Sequence, residues 1–366
     1  MNSERLIERF FSYVKTPSES GNEAAFCELL EAELLSLGLS VERDCVGELC
    51  GSNGWNIYAR LDGTGDAMLF SAHTDTVSPG IGIQPVVEQG IIKSSGNTIL
   101  GADDKAGVVA VTEALNSIIE KGKPHRTIEV LFSICEEPGL LGAKHADFSR
   151  IRSRQAVVLD NEVLGEIINR SPANMVLNFK IYGKAAHAGM APQEGIHALK
   201  AAANAVANIP VGYVDEISVM NISNFCSPGK TNVIADKASF DMEIRSYEED
   251  RLQQHMAACE QAVRHACESV GASYEMVTDR HSDVIYVPEN AALITEIKAK
   301  LKQLGVEGKI TKSFGGSDAT YLFANGIEVV NLGIGMQSVH SSEEHISVSD
   351  LETTVRLVES LMESAN

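Results

Sequence analysis

Short apolar runs alternate along this chain with longer stretches in which apolar side chains recur at helical spacing. The runs at 56–61, 67–72, 128–134 and 156–159 are strand-length and rich in Val, Ile, Leu or Phe. Between them, residues 104–120 place Val108, Val111 and Leu115 on one side of a predicted helix. Two helices are expected to precede the first strand. Ser3 can cap one over 4–15, and Asn22 can cap a second that carries Leu29, Leu30, Leu34 and Leu37 and ends at Gly38. Strands alternating with helices predict an α/β domain with a mostly parallel central sheet.

The middle of the chain changes character. Residues 175–182 alternate like a half-buried strand, and 194–207 read as an Ala-rich helix. Strands at 217–222 and 238–245, a helix at 250–270 and a strand at 272–277 follow. The order strand–helix–strand–strand–helix–strand is that of a ferredoxin-like α+β unit. The expected division is therefore 1–170 with 284–366 for the larger domain and 171–283 for the insertion. The tail returns to α/β, with a helix near 290–304, another at 318–324, a strand at 328–332 and a last helix from Asp350.

Composition narrows the function classes. Thirty Lys and Arg against fifty Asp and Glu leave a net charge of −20, which argues against a nucleic-acid partner or an anionic membrane surface. No apolar run is long enough for a transmembrane helix, and the charged N-terminus lacks the pattern of a secretory signal. Seven cysteines, an odd number with no C-x-x-C pair, fit a reduced, cytoplasmic compartment and are expected to be small core residues.

Candidate chemistry gathers at predicted strand ends. The run at 67–72 leads into His73-Thr-Asp75, whose first and third side chains share a face, so a carboxylate can orient an imidazole. Leu100-Gly-Ala-Asp103-Asp104-Lys105 opens the 104–120 helix, where acidic residues also serve as caps. Glu136-Glu137-Pro-Gly139 follows the 128–134 strand, and Asp160 ends the 156–159 strand. Val339-His340-Ser-Ser-Glu343-Glu344-His345 lies near the C-terminus. Each segment alone has a bland reading as a solvated loop. Together they supply His and carboxylates at the carboxyl edge of one sheet, where open α/β folds bind ligands. That donor set suits zinc, with cobalt or manganese conceivable.

These segments, with Gly183-Lys-Ala-Ala-His187 and Gly315-Gly-Ser-Asp318, occur in the order found in the dinuclear zinc exopeptidase and acylase superfamily. The chain resembles that superfamily, and within it the peptidase T-like tripeptide aminopeptidases. The resemblance implies two Zn²⁺ ions, with Co²⁺ or Mn²⁺ as substitutes. His73 and Asp160 would hold one, Glu137 and His340 the other, and Asp103 would bridge them. Two zinc ions bring +4, and three carboxylates with one hydroxide bring −4, so the core would be neutral. It further implies Glu136 as general base towards a metal-activated water, Asp75 as the residue orienting His73, and His187 as an oxyanion-stabilising group reaching the partner subunit's site. Asn232, Arg245, Gly316 and Ser317 match substrate-binding positions, Arg245 offering a planar fork to a carboxylate.

The expected activity is hydrolysis of a short peptide at its N-terminal residue, in a homodimer formed through the inserted lid domain. An N-acyl amino acid deacylase or carboxypeptidase would use the same site. A noncatalytic binding protein would have no reason to keep Glu136 together with all five ligand positions. His345 is the reserve ligand to His340. His197, His255, His265 and His281 match no metal motif, and Cys135 is expected to point into the core, away from Glu136.

Overall fold

A computed structural model describes residues 2–363. Dense internal contacts divide them into two compact units, one running through Asn169 and resuming at Tyr286, the other Arg170–Ile285. No helix among the described residues is long and apolar enough to cross a membrane.

The first unit is built on a sheet whose middle is parallel. Met68–His73 lies between Ile128–Ser133 and Gln155–Asn161, and Glu328–Gly333 pairs with the latter, all in parallel. Antiparallel strands extend it on either side: Ile57–Leu61 and Ser40–Arg43 on one, Glu166–Ser171 on the other. The central strands are buried on both faces, which is why they read as continuous apolar runs rather than alternating ones. In register, His73 stands opposite Ser133, and Ser71 opposite Val158, so Asp160 falls level with His73.

Against this sheet lies Ala102–Lys121, a helix buried on every side from Ala102 through Ile118. It packs on Met68–His73, on the N-terminal helix Ser3–Lys15 and on the C-terminal helix Val348–Met362. Its buried charge Glu113 is paired with Arg5 and Arg9 of the N-terminal helix, which lets a helix with polar residues lie in the core. Its first turn is irregular: Asp103 and Asp104 have non-helical backbone angles, and the carboxylate of Asp104 accepts from the Gly107 amide as a cap. The 104–120 expectation therefore covers the regular part of the helix.

Two expected caps are corrected. Asn2, not Ser3, caps the first helix, accepting from the amides of Glu4 and Arg5. Asn22 does not cap the second, Ala24–Ser36; the Ala24 amide is taken by the side chain of Asn53, distant in sequence. A small antiparallel sheet has no counterpart among the expected elements. It comprises Pro85–Glu88, Ile91–Ser94, His345–Ser347 and Met336–Gln337. Its strands are too short to show a periodicity.

The second unit has one antiparallel sheet in the order Gly212–Asp215, Ser218–Cys226, Lys237–Ser246, Ala173–Tyr182, Ser273–Ser282. The last four strands and two helices form the ferredoxin-like arrangement, and Gly212–Asp215 adds an edge. Ala173, Met175, Leu177, Phe179 and Ile181 alternate inward on one strand and Ala238, Phe240, Met242 and Ile244 on its neighbour. Phe179 and Phe240 stack with centroids 5.1 Å apart. The helices Ala198–Asn208 and Glu249–Glu268 cover this face. The first begins later than the expected 194, because Pro192–Glu194 is a separate 3₁₀ turn closed by Gly195. Cys45 and Cys226 are exposed, so two of the seven cysteines are not core residues.

One close approach in the first unit bears on the site. At Gly142 an added Cβ would stand 2.1 Å from the carbonyl oxygen of Ile134 and 2.7 Å from Asn56 Oδ1. The amide of Gly142 donates to that Ile134 carbonyl, closing the loop that carries Glu136 and Glu137. Gly142→Ala should lower stability by about 1–3 kcal/mol through overpacking. Urea unfolding checks this; a midpoint equal to wild type would mean that the loop yields without cost.

Candidate metal centre

The central strands and the helix start bring five of the expected residues to one place. His73 ends its strand and is 2% exposed. Its Nδ1 lies 3.0 Å from the carbonyl oxygen of Asp75, so Nδ1 carries the proton in the neutral ring and Nε2 presents a lone pair. That Nε2 stands 3.1 Å from Asp103 Oδ1 and 4.0 Å from Asp160 Oδ1. The other oxygen of Asp103, Oδ2, is 3.1 Å from His340 Nε2, which is itself 3.0 Å from Glu137 Oε1. Asp103 thus turns one oxygen to each imidazole.

Asp104 also lies within ligand distance of His73 and Asp160, and His73, Asp103 and Glu137 form a second such group. The two aspartates differ in what occupies their oxygens. Asp104 accepts from the backbone amides of His73 and Gly107, one on each oxygen. The oxygens of Asp103 face only the two imidazoles among these groups.

Electrostatics mark the same place. Burial, reinforced by the charges of Asp103, Asp104 and Asp318, pushes the Asp160 carboxyl well above its usual pKa. Burial raises Glu136 likewise, with Asp160, Asp318 and Glu137 adding to it against the opposing effect of His73. Glu137 is raised chiefly by burial. Burial opposes protonation of His73, yet hydrogen bonds to Asp103 and Asp75 and the charge of Glu136 hold its pKa well above normal. His340 is raised to about 9, first by its hydrogen bond to Asp103. The chain has concentrated carboxylates around two imidazoles with no Lys or Arg ion pair to any of these ligand candidates among the described residues.

A divalent metal fits this donor set. In the neutral ring a lone pair of His73 aimed at two carboxylates is repulsive unless a cation lies between them; without a metal a proton on the imidazole takes that place, in line with its raised pKa. Glu137 Oε1 is buried and stands 3.0 Å from His340 Nε2, so the carboxylate and the imidazole converge on one small space. Carboxylate and imidazole are hard-to-borderline ligands suited to zinc and its neighbours.

Around the cluster, backbone amides and buried carboxylates hold the loops. Asp75 is fully buried; Oδ1 accepts from the Glu136 amide at 2.9 Å, and Oδ2 accepts from the Glu137 amide at 3.2 Å and Ser20 Oγ at 2.7 Å. It therefore fixes the acidic pair as well as standing beside His73. Glu23, which the sequence did not single out, accepts at Oε1 from both the amide and the thiol of Cys135. Cys135 sits in a left-handed conformation, φ 48°, with its thiol directed at Glu23. Glu23 precedes an ordinary helix and has no spacing signal. Lys105 is also wholly buried; its Nζ donates to the carbonyls of Tyr13 and Thr16 and lies 4.6 Å from the Phe26 ring. Burial lowers its pKa to about 7.

The remaining expected residues lie elsewhere. Gly316 and Ser317 precede Asp318, whose Oδ2 accepts from Ser133 Oγ and whose buried Oδ1 has no hydrogen-bond partner. His345 belongs to the small sheet, its Nδ1 2.7 Å from the Glu343 carbonyl, whereas His340 is the one that meets Asp103 and Glu137. In the second unit His187 and Asn232 are neighbours: His187 bridges to Val233, and the Ala188 amide donates to the Asn232 carbonyl. His187 Nδ1 accepts from the amides of Gly189 and Met190. Arg245 makes an ion pair with Glu243 at 2.8 Å.

Comparison with known proteins places the chain in a family. Residues 69–364 match the model of peptidase family M20/M25/M40. The chain belongs to this family. It is 33% identical to the uncharacterized protein YqjE of Bacillus subtilis, over 100% of this chain and 99% of that one. Peptidase T of Escherichia fergusonii is 25% identical, with 97% of each chain covered. Among solved structures, aminopeptidase PepT from Bacillus cereus superposes with a TM-score of 0.93 at 34% identity, covering 99% of this chain and 98% of that one. A tripeptidase from Staphylococcus aureus gives 0.94 at 30% identity, with the same coverage.

The raised pKa values predict how the metal-free protein responds to pH. Each raised group binds its proton more tightly folded than unfolded. Its contribution to stability is complete below the unfolded pKa and is lost as pH rises through the folded value. The windows are 3.8 to about 6 for Asp318 and 6.5 to about 9 for His340. The thermal midpoint of chelator-treated protein should therefore fall from about pH 5 to about pH 7, and added zinc should flatten the curve; above about pH 7 Lys105, lowered to about 7, works against His340 because its unfolded state binds the proton more tightly. A midpoint that rises between about pH 5 and about pH 7 in chelator would contradict the electrostatic account.

Proposed function

We propose that this chain is a dizinc metallo-aminopeptidase that releases the N-terminal residue from tripeptides and similarly short peptides. The observation that carries the proposal is Asp103, with one oxygen toward each of two imidazoles and a further carboxylate, Asp160 or Glu137, on each side. His73 and Asp160 are assigned to one zinc, Glu137 and His340 to the other, and Asp103 to both. The peptidase T-like relatives support the choice of short peptides over other amides. Cobalt or manganese would satisfy the same ligands.

Zinc held by these residues would supply Lewis acidity toward the scissile carbonyl and lower the pKa of the attacking water toward neutrality. Glu136, 9% exposed and next to Glu137, is assigned to take a proton from the attacking water and return it to the leaving amine. Asp75 positions this base by accepting the amide of Glu136 and orients His73 through its carbonyl. No covalent intermediate is required, so the inward-facing thiol of Cys135 has no part in the chemistry. Segment 171–283 is assigned to a lid that also forms a homodimer, with His187 as the group stabilising the developing oxyanion. Asn232, Arg245, Gly316 and Ser317 are assigned to substrate binding, Arg245 exchanging its Glu243 partner for a peptide carboxylate. The chain is proposed to act in the cytoplasm.

The test combines metal content with specificity. About two zinc ions per chain and chelator-reversible release of the N-terminal residue from Ala- and Gly-containing tripeptides are expected, with no cleavage when the N-terminus is acetylated. Cleavage of the acetylated peptides would move the assignment to a deacylase or carboxypeptidase. Glu136→Gln should lower kcat by about 10²–10⁴-fold at unchanged zinc content; full activity in this variant would remove Glu136 from the mechanism.

A further inference from the structure

Glu344 is 1% exposed and lies in the segment that carries His340. A buried carboxylate is costly unless it is hydrogen-bonded or paired. Glu344 receives three backbone amides from the opposite end of the sequence. Oε2 accepts from Leu100 at 2.8 Å and Gly101 at 2.7 Å, and Oε1 accepts from Asp103 at 2.9 Å. The three amides converge because Gly101 takes a left-handed conformation, φ 73°. Such a concave run of amides is an anion-binding cradle, here filled by the protein's own side chain.

The two ends of this clamp are not arbitrary. At one end the clamped loop presents Asp103, whose own amide is one of the three donors. At the other, four residues before Glu344, stands His340, itself in a left-handed conformation with φ 60°. The carboxylate of Glu344 therefore fixes the distance between two side chains that meet at 3.1 Å. We infer that Glu344 is a positioning residue that preorganises the Asp103–His340 half of the metal centre. This rests on the reading of Asp103 and His340 as ligands. Glu344→Gln keeps the shape but cannot accept three amides on two oxygens, and its NH₂ group would face an N–H. Outer partners of metal ligands typically change affinity by about 10–100-fold.

The test is a calorimetric zinc titration of metal-free wild type, E344Q and H340A. His340→Ala identifies the binding step that belongs to Asp103, Glu137 and His340. E344Q is expected to weaken that step by about tenfold or more and the other step less. Excess zinc should then restore kcat with KM unchanged. Wild-type affinity in both steps would overturn the inference, as would equal weakening of both steps with a lowered thermal midpoint of the metal-free protein, which marks general loss of packing. A wild type that binds no zinc would instead remove the proposed function itself. Should E344Q not fold, hydrogen exchange of wild type decides. Protected amides at Leu100, Gly101 and Asp103 before zinc is added support the clamp, and exchange at unfolded rates overturns it.

Discussion

Mutual repulsion among buried carboxylates is the constraint around which this molecule is arranged. Asp75, Asp103, Asp104, Glu136, Glu137, Asp160 and Asp318 crowd the carboxyl ends of the parallel strands and the start of the core helix, with His73 and His340 among them. In water such a group would disperse. Here the parallel register leaves it little freedom, because the strands that carry His73 and Asp160 at their carboxyl ends are hydrogen-bonded to one another and buried through their middles. The sheet supplies the rigidity, and the charge supplies the demand for cations. Neither alone would make a metal site.

Other buried carboxylates spend their charge on backbone amides. Asp75 takes the amides of Glu136 and Glu137, Asp104 those of His73 and Gly107, and Glu23 that of Cys135. Glu344 does the same for the loop before Asp103. Each converts a flexible loop into a fixed one by neutralising amides that the strand or helix leaves unpaired. The left-handed conformations of Cys135 and His340, unfavourable by about 1 kcal/mol or more each, persist because their loops are held in this way.

Much of this was legible in the sequence, for identifiable reasons. The parallel strands announce themselves because burial on both faces demands unbroken apolar runs, and His73, Glu137 and Asp160 are conspicuous as polar residues that end or follow such runs. The alternation of residues 173–182 likewise exposes a one-sided sheet. What stayed hidden depends on contacts between distant segments. Asn53 caps a helix it does not adjoin, Glu23 supports a turn more than a hundred residues away, and the small sheet behind His340 has strands of two to four residues. That Asp104 spends both oxygens on backbone amides is likewise absent from the spacing of adjacent aspartates.

The bonds from Glu344 to residues 100–103 span more than 240 positions. During synthesis, His73, Asp103, Glu137 and Asp160 leave the ribosome long before His340 and Glu344. The nascent chain thus passes through a stage in which the acidic half of the centre exists without its closing segment. The order of translation places closure of the centre at the end, so a chain interrupted before residue 340 would carry the charge of the site without the means to complete it.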